Sequence, residues 1–408
     1  LYFVNDSKAL IIIIINRSLK ACVIERKVNF VKVHLNLQEV NSYLSGIGVF
    51  EKEISMRLNL GKEHEIYGGL LDAFFISNKE EYRKFHYPVE YSLLRAKWIF
   101  NYNVVRRPLP IIKYNNLFKT DCDAYVFFSY RLPRCKIEGK VIACIHDLIP
   151  LKTEMEDQNI VDSYISSIKD VANRADIIVT VSENSKSDII SYLGVPAEKI
   201  RIVNNGVNFN EFNTPISDSV KQLVRRKYNL PEKYILYFGS SRKHKNVESI
   251  IKAYASLNKK LRNEYKLVIT NSNSLIKETA IKENIDKDVL FVEAISDEHK
   301  VAVYQMASLK MLLSLYEGFG IPIIEAMAAK VPVIASNFSS IPEVAGNAAI
   351  LVNPKDISEI TESIEKVLND ENFRENLIKK GIENAKKYTW DSAAHKFSKI
   401  IKDILENN

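Results

Sequence analysis

Short apolar runs recur along the chain, and segments with helical spacing fall between them. "NFVKVHLNLQ" (29–38) alternates as a strand does, and "GVFEKEISMRLNL" (48–60) reads as a helix. Further β-type runs follow at Ala124–Phe128, Val141–Ile145, Ile177–Val181 and Ile200–Val203, with helical patterns at Ile160–Ala172 and Ser185–Leu193. Strands alternating with helices predict parallel sheets built from βαβ units.

After "NNGVNFNEFN" the pattern restarts. Strands are predicted at 234–239, 265–270, 288–292, 310–315, 331–336 and 348–353. Helices are predicted at Val247–Leu261, 297–307 and 321–329, and three more close the chain near 357–368, 371–386 and 390–405. Two α/β units in tandem, hinged near 206–220, account for this order. In such sheets ligands bind at the carboxyl ends of strands, so the best site lies in a cleft between two facing units.

A chain of 408 residues exceeds one ordinary core. With 46% hydrophobic and 26% charged residues, it has ample core and no disordered signature. The four cysteines (Cys22, Cys122, Cys135, Cys144) show no metal-cage spacing, which suits reduced thiols in a cytoplasmic protein. The net charge of +7 is spread along the chain. Arg106, Arg107, Lys113, Lys119, Arg131, Arg134, Lys136 and Lys140 make one locally basic stretch. It is read as a solvated face, or as one attracted to anionic lipid headgroups; no nucleic-acid motif accompanies it. The helical pattern "YSLLRAKWIF" (91–100) is open to ordinary packing or to an interfacial role at a membrane. The apolar run Ala9–Ile15 is too short to span a bilayer, and residues 1–27 have no assigned role.

Chemistry gathers in "YEGFGIPIIEAMAAKVPVIAS" (316–336), where Glu317 and Glu325 interrupt an apolar run. Unpaired carboxylates are costly to bury. Glu317 follows a predicted strand, Gly318 and Gly320 permit close approach of a ligand, and a helix start offers N–H groups to an anion. Two acids flanking such a turn suit a diphosphate set between two polyols, as in a nucleotide sugar. "FGSSRKHKNVES" (238–249) adds a basic loop at a strand end, where a diphosphate leaving group needs cations. "ACIHDLIPL" (143–151) ends a strand at His146-Asp147, and "LSGIGVFEKEI" (44–54) places Gly46 and Gly48 in a turn before a helix. The Asp-x-Asp of "TDCDAYVFF" (120–128) opens an apolar strand instead of ending one, so no metal site is predicted there.

The string EGFG with a second glutamate, followed by "PVIAS" and "IPEVAG", resembles the retaining glycosyltransferases of family 4 over most of the chain from about residue 40. The resemblance implies the GT-B fold, two Rossmann-like α/β/α domains facing across a cleft. Residues 28–211 would bind the acceptor, 212–389 the nucleotide sugar, and 390–408 would pack back on the N-terminal domain. It assigns Glu325 to the nucleotide ribose and Glu317 to the transferred sugar, with Gly318, Phe319, Gly320 and Ile321 beside sugar and phosphates. His146 would contact the sugar and Asp147 the imidazole or the acceptor, with Gly46 and Gly48 forming the opposite wall. Lys245 matches the family's lysine. Ser240 stands beside Gly239 where many members carry arginine, and Arg242, Lys243 and His244 are candidates for that missing charge. The implied activity moves a hexose, with a lean towards mannose from GDP-mannose, to a saccharide or lipid-linked acceptor. It would do so without a metal or other cofactor, at the cytoplasmic face of the membrane. A GT-B epimerase or phosphorylase, or a non-catalytic sugar-nucleotide scaffold, are the competing classes. The first two differ in nucleotide release or phosphate consumption, and the scaffold would tolerate loss of Glu317, His146 or Lys245.

Overall fold

The computed structural model describes residues 31–37, 46–61, 64–69, 90–91, 122–133, 137–153 and 158–406. The N-terminal segment 1–27, the stretch 91–100 apart from its first residue, and most of the basic stretch (Arg106 to Lys119, Arg134, Lys136) lie outside them.

Strands β1 (Val31–Asn36), β2 (His64–Gly69), β3 (Glu90–Tyr91), β4 (Ala124–Phe127), β5 (Lys140–Cys144), β6 (Ile177–Thr180) and β7 (Ile200–Ile202) form one sheet, ordered β3-β2-β1-β4-β5-β6-β7. A second sheet contains β8 (Tyr234–Tyr237), β9 (Lys266–Thr270), β10 (Val289–Val292), β11 (Leu309–Leu312), β12 (Val333–Ser336) and β13 (Ile350–Val352), ordered β10-β9-β8-β11-β12-β13. Neighbouring strands are parallel in both sheets. Strands β4, β8, β11 and β12 are buried along their whole length, as parallel strands covered by helices on both faces must be. Each order reverses between its first strand and the fourth, giving switch points at β1/β4 and β8/β11. The fold is GT-B.

Among the elements that differ from the sequence expectation, three show why. The helix expected over Val247–Leu261 is two, Val247–Ser256 and Lys259–Glu264, because Asn258 turns the chain and its side chain caps the second by accepting Leu261 N–H at 3.0 Å. The strand expected to run to Leu315 stops at Leu312, and Leu315 N–H instead donates to the His244 carbonyl at 2.7 Å. Strand β2 has no apolar alternation that would announce it; pairing with β1 in the register Val31–His64 defines it.

The chain passes between the sheets at two points that touch. Val207 N–H donates to the Tyr388 carbonyl at 2.9 Å, and Val207 bridges Thr389. Gly206 is required there, since a Cβ on it would lie 2.3 Å from Trp390 N. The helix Trp390–Glu406 then packs on the helix Gly46–Arg57. Phe397 is fully buried, with ring centroids 6.2 Å from Phe50 and 5.5 Å from Phe128. Arg57 donates to Asp391 (3.1 Å) and Asn208 (3.2 Å), joining the returning helix to the crossing segment.

Candidate active site

At the β8/β11 switch point, the loops after these two strands meet. Glu317 is buried, and its Oε1 accepts hydrogen bonds from Lys245 Nζ (2.7 Å) and Ser314 Oγ (2.6 Å). Its N–H donates to Ser339 Oγ and its carbonyl accepts from Ser340 Oγ, each at 2.9 Å, so backbone and side chain are both held. Burial alone would push the carboxyl up, but the Lys245 ammonium, the Ser314 hydroxyl and His244 outweigh it and hold it below the usual carboxylate range. Glu317 is therefore a paired carboxylate. Lys245 closes a short 3-10 turn (Lys243–Lys245), fixed by Lys245 N–H to the Arg242 carbonyl at 2.8 Å.

The second glutamate has its own cation. Glu325 is buried in the helix Ile321–Ala328 and ion-paired to Lys300 of the helix Asp297–Gln305. The Lys300 ammonium also lies 5.9 Å from the Phe212 ring centroid and 5.6 Å from that of Phe238, in cation–π range. Gly320 starts the Glu325 helix at φ +100°, a left-handed conformation that a side chain would strain. Ile321 is half-buried at the helix start. The Phe319 side chain is 3% exposed and packs edge-on against Tyr388 at 5.4 Å. Its aromatic surface gains more from this apolar pocket than from a polar crevice.

Across the cleft, His146 and Asp147 follow β5. His146 Nε2 lies 2.8 Å from the Phe128 carbonyl, and its ring meets Phe50 edge-on at 5.0 Å. A carbonyl only accepts, so Nε2 carries the proton and Nδ1 is an acceptor. Burial pushes the imidazole down to about 4, partly opposed by the bond to Phe128, so it is neutral near pH 7. Asp147 Oδ1 accepts Ile149 N–H at 3.0 Å. Burial pushes this carboxyl up to about 6, against the Ile149 bond and with help from the Glu317 charge. Gly318 is required by this meeting: a Cβ there would lie 2.6 Å from Asp147 Oδ2. Gly46 opens its helix exposed, with open space where a Cβ would stand, and Gly48 is buried; Phe50 of the same helix supplies the contact to His146.

The two sheets are clasped beside these residues. Ser182 Oγ donates to the Gly318 carbonyl at 2.8 Å while accepting Ser185 N–H at 3.0 Å. Glu343 accepts the N–H groups of Glu183 (3.0 Å) and Asn184 (3.4 Å), so a carboxylate from one sheet's unit caps the helix Glu183–Leu193 of the other. Tyr316 donates to Asp188, which also pairs with Lys152 at 2.5 Å.

The rest of the basic loop is less involved. Gly239 N–H donates to Thr270 Oγ1 at 3.0 Å, and the Ser240 carbonyl accepts the Tyr237 hydroxyl at 2.6 Å. Ser240, Arg242 and Lys243 are exposed. His244 is buried, and burial with the neighbouring Lys245 charge pushes it down to about 4, so it supplies no positive charge near neutrality. At the other end of the N-terminal sheet, Asp123 of the Asp-x-Asp accepts Lys32 N–H at 2.7 Å, a sheet-end role; Asp121 lies outside the described residues. Among the described residues, no group of three or more His, Cys, Asp and Glu side chains is placed to hold a metal.

Two family models match consecutive parts of the chain: "Glycosyltransferase Family 4" over residues 84–211 and "Glycosyl transferases group 1" over 220–384. The chain belongs to these glycosyltransferases. It is 28% identical over 277 residues to the serotype-specific mannosyltransferase WbdA of Escherichia coli, an alignment covering 66% of this chain and 34% of WbdA. The chain thus spans about a third of WbdA's length. The O-antigen chain mannosyltransferase B of Escherichia coli is 27% identical over 382 residues, covering 88% of this chain and 97% of that one. Among solved structures, Anabaena HepE in complex with UDP and glucose superposes with a TM-score of 0.67 at 15% identity, over 91% of this chain and 99% of HepE.

In this glycosyltransferase, Lys300, Lys310 and Ser182 join the site without having been singled out from the sequence. Lys310 had a visible signal, a lysine within the apolar run "LKMLL"; Lys300 and Ser182 sit in ordinary polar helix starts and become notable only through their partners.

Proposed function

We propose that this chain is a retaining hexosyltransferase that takes a nucleotide sugar, with GDP-mannose favoured, and glycosylates a hydroxyl of a saccharide or lipid-linked acceptor in polysaccharide or glycolipid synthesis. The observation that carries the proposal is the pair of buried glutamates, each held by its own lysine, flanking a glycine-rich helix start at a sheet's switch point. Glu317 would accept hydroxyls of the sugar and Glu325 those of the ribose, with the diphosphate between them against Lys245 and the backbone N–H groups of the turn. The mannosyltransferase names of WbdA and mannosyltransferase B support the sugar. HepE's complex supports a nucleotide as the ligand of this fold's cleft.

Glu317 is committed to Lys245 and Ser314, which argues against its acting as a covalent nucleophile. A front-face transfer fits better. The acceptor hydroxyl attacks the anomeric carbon on the side from which the diphosphate leaves, and the departing oxygen takes the hydroxyl's proton. The enzyme then contributes alignment and charge: Lys245 at the leaving group, His146 Nδ1 accepting from a sugar hydroxyl, and Glu317 fixing the ring. Contact with an anionic membrane belongs to the same proposal; no helix among the described residues is long and apolar enough to cross one.

The test is nucleotide binding and release from a panel of UDP-, GDP- and ADP-sugars, with wild type beside Glu317→Ala. One donor bound by both proteins and hydrolysed slowly by wild type alone is the expected result. Absence of binding to every donor would overturn the proposal.

A further inference from the structure

Lys310 stands inside β11, between the buried apolar residues Leu309 and Met311, and is itself 0% exposed. A lysine is among the least suited residues for the middle of a parallel strand, because its ammonium loses all its water there. Its Nζ donates to the Met311 carbonyl at 3.0 Å and the Phe238 carbonyl at 3.4 Å, and lies 5.1 Å from the Tyr237 ring centroid.

The position of these partners is informative. Phe238 directly precedes Gly239, so Lys310 grips the root of the loop that ends in Lys245. The Phe238 ring also carries the Lys300 ammonium. Lys310 is within electrostatic reach of both ion pairs, Lys245–Glu317 and Lys300–Glu325. The charged groups acting on it are these four: Glu325 and Glu317 favour its charge, Lys245 and Lys300 oppose it, and the Tyr237 ring faces it from β8. Of the groups that act on it directly, two carboxylates favour the Lys310 charge and two ammonium groups oppose it, so loss of the Lys310 proton removes one positive charge from this cluster.

We propose that Lys310 is a positioning residue for the donor diphosphate, a buried cation that anchors the root of the basic loop and adds a positive charge there; this rests on the nucleotide-sugar reading above. Burial pushes its ammonium down to about 7, partly held up by Glu325. A bound diphosphate favours the charged form, so by linkage donor binding above neutral pH draws a proton into the protein. The diphosphate of a nucleotide sugar is esterified at both ends and keeps a fixed charge between pH 7 and pH 8.5, so the proton cannot go to the ligand.

Titration calorimetry of the full chain with GDP-mannose, UDP-glucose and ADP-glucose, in pairs of buffers differing in ionisation enthalpy, reads this proton directly. At pH 8 wild type is expected to take up roughly half a proton or more with the donor it binds, following the displacement of a group titrating near 7. Lys310→Met is expected to bind that donor about fivefold more weakly at pH 7, what a one-unit gain in proton affinity yields when half of the free protein is already charged, and to show no uptake. Its melting temperature should match or exceed that of wild type, because an apolar side chain of the same length replaces a buried charge. Equal affinity and equal proton uptake in the two proteins would overturn the role of Lys310 and leave the donor reading intact. Donor binding by wild type without any uptake at pH 8 would also overturn it. Failure of wild type to bind any of the three sugars would remove the donor reading itself.

Discussion

At the scale of single residues, the two glutamates differ in what their loss should do. On the proposed reading Glu317→Ala removes the group that holds the reacting sugar, and nucleotide turnover is expected to fall by ~10²-fold or more, measured as release at saturating donor. Lys245→Ala should do the same and also destabilise the fold by about 3 kcal/mol, since it strands a buried carboxylate. Replacing both partners, as Glu317→Gln with Lys245→Met, should melt higher than Lys245→Ala alone. Glu325→Ala is expected to weaken nucleotide affinity with a smaller effect on turnover; unchanged affinity would discard its ribose role. The pH response is also set by residues. His146 and His244 titrate near 4 in the fold but near 6.5 when unfolded, so the unfolded chain binds more protons in that window and stability falls as pH drops through it. Asp147 works the other way: with its folded value raised to about 6 from 3.8, the fold binds more protons in its window and gains stability as pH drops. Asp147→Asn removes that compensation, and its melting temperature should fall more steeply than that of wild type between pH 6 and pH 4. A parallel decline in both proteins would show that Asp147 stays ionised.

At the scale of elements, the site is made by the loops that leave the strands. Gly318 sits where the loops after β5 and β11 come together, and Gly318→Ala places a Cβ against the Asp147 carboxylate. Overpacking of this kind typically costs about 1–3 kcal/mol, and here it also prises apart the two walls of the cleft, so activity is expected to fall further than stability. Glu343 caps a helix of the opposite unit, and Glu343→Ala should lower stability by about 1 kcal/mol, the usual worth of a lost cap. The sequence made Glu317, Glu325 and His146 legible, because a polar residue within or at the end of an apolar run is conspicuous, and Lys245 through its match to the family's lysine. It gave no sign that the Phe319 ring would turn away into a pocket with Tyr388, since both orientations satisfy the same local pattern.

For the molecule as a whole, the returning C-terminal helix joins the two units. Phe397 is buried between Phe50 and Phe128 of the N-terminal unit, and Phe397→Ala is expected to cost about 3–5 kcal/mol, read from chemical denaturation. The Ser182 hydroxyl donating to the Gly318 carbonyl is a second contact between the same two units. Where the chain passes between the units, Gly206 lies against Trp390, a place too tight for any side chain.

Periodicity by itself determined the α/β class, the restart of the pattern after residue 213, and the strand ends at which chemistry had to lie, because burial on both faces of a parallel strand leaves an unmistakable apolar run. Tertiary structure decided whatever depends on a partner distant in the chain. β2 became a strand through its register with β1, and each buried glutamate acquired its lysine from another element. Lys310 became tolerable only because strand-end carbonyls and two carboxylates surround it. Local sequence reports what a residue prefers; the charges that face it across a sheet determine what it costs to place it there.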